Sequence, residues 1–180
     1  MKKLLFALIG LMFLISCQES DTTELVKVKN QYSVELPSFL IISSELNDDA
    51  SLQYQNLYKE FYVIVIDETK QELIDVITEN GLDTSTFKVD FDMFTSFVKE
   101  DFIYSIEIDE IPELKDTTIN NLNAKLLELD GSFDGIEIFY DIAYVEGKDS
   151  YYQIMVWTLG ENKEDYKAKM NKIIASFKEI

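Results

Sequence analysis

The chain has 180 residues, a formal net charge of −18, one Cys and no His, and all 16 of its basic residues are Lys. This composition excludes a catalytic triad with His, a His-ligated metal or haem, a Cys/His zinc site and an internal disulfide bond. The lack of Arg excludes a guanidinium clamp on phosphate. The negative charge disfavours nucleic acid and anionic lipid headgroups as partners.

The amino-terminal residues have the parts of a secretory signal. Two lysines precede an apolar run of 12 residues, Leu4–Ile15, and the small Ser16 stands directly before Cys17. A helix needs about 20 apolar residues to cross a bilayer, so this run is too short for a stable span. The pattern is typical of a signal peptide, and we predict one over residues 1–16.

The four residues Leu14–Cys17 resemble the bacterial lipobox, and the resemblance implies lipidation of Cys17 as the first residue of the mature chain. Several acyl chains, palmitate among them, would then give stable membrane anchoring. The alternative is an ordinary signal peptide that happens to contain a Cys. Loss of residues 1–16 would leave 14 Lys against 34 acidic residues, a net charge of −20. We expect an extracytoplasmic, lipid-anchored protein, on the outer membrane in a Gram-negative host.

Acidic residues directly after Cys17 also look like a surface-export tether, and the alternative is a linker that is merely polar. We expect a polar tether over residues 17–29 and a single domain over residues 30–180. A hydrophobic content of 47% and an aromatic content of 13% argue against disorder. A domain of this size can build a core without disulfide bonds or metal.

The first half of the domain alternates strand and helix patterns. We predict short strands around Tyr32–Pro37 and Leu52–Asn56, and a strand covered on both faces at the fully apolar Phe61–Ile66. Thr69 with Glu72 forms a capping box for a helix that Gly81 ends. A second helix is predicted over 86–104. Its apolar stripe could form an aromatic ligand box, but core packing is the favoured interpretation; the stripe contains Phe87, Phe91, Phe94, Val98 and Phe102.

After Pro112 the pattern has period two. We predict strands at 113–119, 122–130, 136–146 and 149–159, with a turn at Gly147, and the last strand is central because both its faces are apolar. A final helix is predicted to begin at Asn162, with Asp165 at the capping position. The elements together predict an α+β fold, an α/β/α sandwich with a mainly antiparallel sheet covered by helices on both faces.

The element order and a few short motifs resemble the PsbP-like family, whose fold is shared with a Ran-binding nuclear import factor and DcrB-type lipoproteins. The motifs are Tyr32–Pro37, Ile119–Ala124, Tyr152–Ile154 with Trp157–Thr158, and Ile173–Lys178. The resemblance implies the fold, and the family is functionally mixed, with mostly binding or assembly factors. Fold-level similarity does not transfer a function.

The best metal candidate is the segment from Asp130 to Gly135 with Asp141 further on. It resembles half of an EF-hand loop, and its ligands would be Asp130, Ser132, Asp134 and Asp141. The flanking residues alternate like strands, so the favoured interpretation is a hairpin turn that uses Asp and Gly.

Two further groups of residues have functional and structural interpretations. The acids Glu107, Asp109, Glu110 and Glu113 could serve a glycosidase, but a solvated loop is expected in so acidic a chain. Seven tyrosines could line a groove for peptide or sugar, or pack across strands: Tyr54, Tyr58, Tyr62, Tyr140, Tyr144, Tyr151 and Tyr152.

From these patterns we expect a non-enzymatic accessory that binds another envelope protein, without a cofactor and without nucleic acid. The alternatives are a divalent-cation or small-ligand binder, favoured by the charge and the Asp130 segment, and a carboxylate-dependent hydrolase.

Overall fold

The computed structural model describes residues 22–81 and 88–180. The strands in these residues are β1 (Thr23–Val28), β2 (Tyr32–Pro37), β3 (Ile41–Ile42), β4 (Ala50–Asn56), β5 (Phe61–Thr69), β6 (Lys115–Ile119), β7 (Leu122–Phe133), β8 (Ile136–Glu146), β9 (Ser150–Leu159) and β10 (Lys178–Glu179). The α-helices are α1 (Lys70–Glu79), α2 (Phe91–Tyr104) and α3 (Lys163–Ser176), and a 3-10 turn, Gly160–Asn162, precedes α3.

Seven strands form one antiparallel sheet in the order β3-β4-β5-β9-β8-β7-β6. β9 lies in the middle, with Val156 opposite Val63 of β5 and opposite Asp141 of β8. Its side chains are buried on both faces, Ile154 on one and Met155 on the other. The prediction of a central strand with cover on both sides is therefore confirmed.

One face of this sheet is covered by α3 and by a second sheet of three strands, β1-β2-β10. Apolar side chains of both units reach the same core as the inward residues of β5, β8 and β9: Tyr32, Val34 and Leu36 from β2, and Met170, Ile173 and Ile174 from α3. Tyr32 and Tyr152 lie edge to face against each other, with ring centroids 5.5 Å apart. This face is a closed hydrophobic interior.

The other face carries α1 and α2. The predicted capping box is present, since the Thr69 side chain accepts a hydrogen bond from the Glu72 N–H and the Glu72 carboxylate accepts one from the Thr69 N–H. Leu73 of α1 is buried, and Phe94 of α2 stacks on Tyr151 of β9 with ring centroids 4.6 Å apart. The α/β/α sandwich of the α+β class is confirmed, with a small sheet added beside α3.

The structure differs from the sequence prediction where the tether was expected. Residues 23–28 form β1, which pairs with β2 along its full length, from Thr23 opposite Pro37 to Val28 opposite Tyr32. Lys29 and Asn30 both have positive φ and make the tight turn between the two strands. The folded domain therefore begins before residue 30. Of the β1 side chains, only Val26 and Val28 pack against the core. The other positions of β1 do not need apolar residues, which is why the segment resembles a polar tether in sequence.

Two helix boundaries also differ. α2 begins at Phe91 because Asp90, in an extended conformation, accepts a hydrogen bond from the Met93 N–H; the predicted residues 86 and 87 lie outside the described residues. Asn162 holds the N-cap position of α3 without a side-chain hydrogen bond, and Asp165 lies in the first turn. There its charge suits the helix dipole.

The carboxyl-terminal residues form a short strand after α3. The helix ends at Ser176, and β10 then pairs with β2 through Lys178 and Glu179. The Glu179 carboxylate accepts hydrogen bonds from the Lys148 N–H at 3.0 Å and from the Tyr152 hydroxyl at 3.1 Å. The chain end is thereby fixed to the turn between β8 and β9.

Gly147 has no room for a side chain in this turn. A Cβ on Gly147 would lie 2.6 Å from the ring of the buried Tyr152 and 2.9 Å from the Ser150 carbonyl oxygen, and it would also meet the Glu179 carboxylate. We predict that Gly147→Ala lowers the free energy of unfolding by about 1–3 kcal/mol, because it forces a shift in a packed region.

Chemical unfolding of the variant checks this prediction. Lys148→Ala is the matched control in the same turn, because the Lys148 side chain is exposed and its loss should change stability little. Equal stability of Gly147→Ala and the unmodified protein would contradict the close packing of β10 on this turn.

Candidate functional site

An open groove with a volume of 540 Å³ lies on the face of the large sheet that α1 and α2 cover only in part. Its floor is formed by apolar side chains of three adjacent strands: Ile64 and Ile66 of β5, Ile138 and Tyr140 of β8, and Met155 and Trp157 of β9. Phe97, Val98 and Phe102 of α2 form one wall. We call this feature, with these nine residues, the aromatic groove.

The rings in the aromatic groove hold one another in place. Trp157 stacks on Tyr62 of β5, with ring centroids 5.2 Å apart and planes at 11°. Tyr140 meets the Phe102 ring edge to face at 5.0 Å, and it lies 6.4 Å from Trp157. Such pairs are favourable beyond the area they bury. The floor is therefore an ordered surface, set by cross-strand neighbours and by one helix.

Apolar side chains around the aromatic groove are exposed. Phe97 on the α2 wall is 64% exposed and Phe133, where β7 ends, is 56% exposed. Ile136, in the same hairpin as Phe133, is also exposed. Exposed apolar side chains next to a groove are typical of sites that bind proteins or ligands.

The rim of the aromatic groove is polar. Asp101 and Ser105 lie on the α2 side, and Asn47 and Asp49 lie in the loop before β4. Gln53 fixes this loop, because its side-chain oxygen accepts hydrogen bonds from the N–H groups of Leu46 and Asn47 at 2.9 and 3.1 Å. The rim loop is thus an ordered part of the site.

The structure separates the tyrosines named from the sequence. Tyr144, Tyr151 and Tyr152 are buried in the two cores, as the packing alternative predicted. Tyr140 lies in the groove floor and Tyr62 supports Trp157 from beside it. Of the seven tyrosines, Tyr140 alone lines the aromatic groove.

The aromatic groove also contains residues whose sequence pattern does not predict a site. Trp157 and Met155 belong to the apolar strand β9, and Phe102 belongs to the Phe stripe of α2, for which core packing is the favoured interpretation. Phe97 lies off the predicted apolar stripe of α2. A large aromatic residue on the polar side of an amphipathic helix is the signal that could have marked this wall.

The metal candidate forms a hairpin. Asp134 and Gly135 have φ angles of 49° and 76° and make the turn between β7 and β8. Asp130 is exposed and forms an ion pair with Lys163 at 2.7 Å, whereas Ser132 pairs through its backbone with Glu107. Among residues 22–81 and 88–180 no group of three or more acidic side chains is placed to hold a metal ion.

Asp141 lies apart from the hairpin turn, buried on β8 beneath α3. It is 1% exposed, and its Oδ2 atom has no hydrogen-bond partner among the described residues. Burial, with a smaller contribution from the charge of Glu128 and against the opposing charge of Lys167, raises the pKa of this carboxyl to about 7. The protein therefore holds a carboxyl group that is close to half protonated at neutral pH.

The remaining candidates are placed as follows. The Glu107 N–H donates a hydrogen bond to the Ser132 carbonyl at 2.9 Å, and the Ser132 N–H donates one to the Glu107 carbonyl at 2.8 Å. This pair covers the edge of β7 beyond the end of β6. Asp109, Glu110 and Glu113 lie exposed in the loop before β6. Cys17 lies outside the described residues. Within the described part of the chain, no helix combines the length and apolar character needed to cross a membrane.

We predict that Asp141→Asn stabilises the protein at neutral pH but not near pH 4. Between the ordinary carboxyl pKa of 3.8 and the folded pKa of about 7, Asp141 is ionised in the unfolded state but protonated in the folded state. The free energy of unfolding therefore falls as the pH rises through this range. The increase in this free energy that Asp141→Asn gives should grow over the same range to about 4 kcal/mol at most and stay constant above it.

Chemical unfolding at a series of pH values from 4 to 8 checks this prediction. The control is Thr158→Val, which removes another buried oxygen without a hydrogen-bond partner among the described residues and cannot titrate. Its effect should be the same at every pH. An Asp141→Asn gain that is equally independent of pH would show that Asp141 is not protonated in the folded protein.

No protein-family model and no curated protein sequence matches the chain. Solved structures are similar to it along most of its length. The cyanobacterial PsbP of Synechocystis sp. PCC 6803 superposes with a TM-score of 0.59 at 14% identity, over 93% of this chain and 99% of that protein.

Two further structures have lower scores. LpqN, involved in cell envelope biogenesis of Mycobacterium tuberculosis, gives a TM-score of 0.54 at 10% identity, over 89% of this chain and 87% of LpqN. A protein of Bacteroides thetaiotaomicron gives 0.51 at 9% identity, over 83% of this chain and 45% of that protein. At such identities structural similarity establishes a shared fold, and the chain accordingly has the PsbP-like fold.

Proposed function

We propose that the protein is a lipid-anchored, non-enzymatic accessory of the bacterial cell envelope that binds another envelope protein. The observation that carries the proposal is the aromatic groove, an open apolar surface with a polar rim and exposed aromatic side chains at its margin. Surfaces of this kind are typical of sites where proteins dock.

The envelope location is supported by the sequence and by one structural neighbour. The pattern from Lys2 to Cys17 contains a positive start, an apolar run and a lipobox-like ending. LpqN, which shares the fold, is described as involved in cell envelope biogenesis. An anchored accessory with a docking surface accounts for both features.

We predict that Cys17→Ala abolishes lipid anchoring. Lipidation requires the thiol of Cys17, so the variant should lose incorporation of a labelled fatty acid and leave the membrane fraction or accumulate unprocessed. The measurement is fatty-acid labelling of cells that express the full-length chain, followed by fractionation.

Ser20→Ala is the control for the anchor, because it changes the same segment and keeps Cys17. It should remain labelled and membrane-bound. Fatty-acid label on the Cys17→Ala protein would contradict the proposed anchor.

We predict that the aromatic groove contacts a partner in the cell. A photo-reactive phenylalanine analogue in place of Phe97, which is 64% exposed, should cross-link to one dominant envelope protein. Mass spectrometry of the cross-linked product identifies it. The same analogue at Leu25, 58% exposed on β1 in the opposite layer, is the matched control.

A product that forms at Phe97 and not at Leu25 supports docking at the groove. Identical products at both positions, or none at Phe97, would contradict it.

A further inference from the structure

We infer that the aromatic groove binds a partner segment in which apolar side chains are flanked by Lys or Arg. The inference deepens the proposed function and rests on it for the existence of a protein partner. The features that select this chemistry are the dimensions of the floor, the charge of the rim and the exposed rings of Phe97 and Phe133.

The floor fits a short segment of chain. On β9 it extends from Gln153 to Trp157, which at about 3.3 Å per residue is roughly 13 Å along the strand. This length accepts about four residues of an extended chain or two turns of a helix. The exposed Phe97 and Phe133 line the same groove beside the floor, so a segment bound there would contact these two rings as well as the floor.

The rim selects positive charge. Asp101 on α2 and Asp49 in the loop before β4 are both exposed, and no Lys is among the described residues that line the groove. Neither carboxylate forms an ion pair within the described part of the chain. Basic side chains beside an apolar segment would meet these two carboxylates at the rim.

The overall charge favours the same partner. At −20 without residues 1–16, the protein attracts basic segments over a distance and repels acidic ones. The same charge opposes a second copy of this chain or an anionic lipid surface in the groove. Lys and Arg side chains also gain from the faces of aromatic rings, and the exposed Phe97 and Phe133 offer such rings in the groove.

The experiment uses Trp157 as its reporter, because it is the one Trp in the chain and lies in the groove floor. The full-length lipoprotein is placed in phosphatidylcholine nanodiscs, whose lipid has no net charge. It is titrated with three short peptides that lack Trp and Tyr. The first combines Leu and Phe with Lys, the second replaces Lys by Glu, and the third keeps Lys but replaces Leu and Phe by Ser.

The expected result is a saturable change of Trp157 emission with the first peptide alone. The apparent Kd should rise with salt, since rim charges are screened. Asp101→Asn and Asp49→Asn should each raise it about threefold, as loss of one exposed charge pair does. Phe97→Ala should raise it about tenfold, because it removes an aromatic contact.

Asp165→Asn is the matched control. It removes one negative charge from α3, on the opposite face of the large sheet, and should leave the affinity unchanged. None of these substitutions changes a buried side chain, so the fold should be retained.

Four outcomes would overturn the inference. They are equal binding of the acidic apolar peptide, equal binding of the Lys–Ser peptide, an emission change with protein concentration alone (a second copy in the groove), and a change on adding anionic lipid alone (a lipid surface). A peptide signal that Asp165→Asn weakens as much as Asp101→Asn does would also overturn it.

The full-length Cys17→Ala chain, titrated in detergent, separates this inference from the proposed function. Peptide binding by that chain supports the groove chemistry whether or not the anchor exists. Failure of the titration with a confirmed lipid anchor removes the groove inference and leaves the envelope location standing.

Discussion

The structure depends on β9 being buried on both of its faces. This strand pairs with β5 on one edge and β8 on the other, and both rows of its side chains are mostly apolar, so both faces of the strand must be shielded from water. A sheet with such a centre is stable only as the middle of three layers. The core beneath α3 and the core beneath α1 and α2 are separate consequences of this single requirement.

The two outer layers meet that requirement to different extents. α3 and the three-stranded sheet close one face with contacts that include Tyr32, Met170 and Phe177, all fully buried. On the other face, α1 has 10 residues and α2 has 14. At about 1.5 Å per residue they are roughly 15 and 21 Å long. They cover one part of the sheet only incompletely, and that part is the floor of the aromatic groove.

Much of the fold follows from local pattern. β9 could be predicted as central because Ile154 and Met155 face opposite ways and are both apolar, and α1 because Thr69 and Glu72 cap it. The Asp134–Gly135 hairpin follows from the backbone freedom of its residues. These features depend on near neighbours in the sequence, which is why the sequence alone predicts them.

The groove and the strand β10 depend on distant contacts. β10 joins β2 from the far end of the chain, whereas β1 is the hairpin neighbour of β2 and was missed because few of its side chains are apolar. The position of α2 across the sheet decides whether Trp157 is covered by the helix or lines a groove. The residue pattern of β9 does not predict the position of α2. Tyr140 and Tyr62 could be suspected by residue type, but their association with Trp157 and Phe102 required the structure.

The pairing of β1 has a consequence for orientation. It brings the folded domain to Thr22, five residues from Cys17, and five extended residues span at most about 17 Å. With the proposed lipid on Cys17, the domain would lie close to the bilayer and would not be separated from it by a long linker. Thr22 lies beside α3, so that layer would face the lipid. The groove, on the other side of the large sheet, would open away from the membrane, towards proteins in the adjoining compartment.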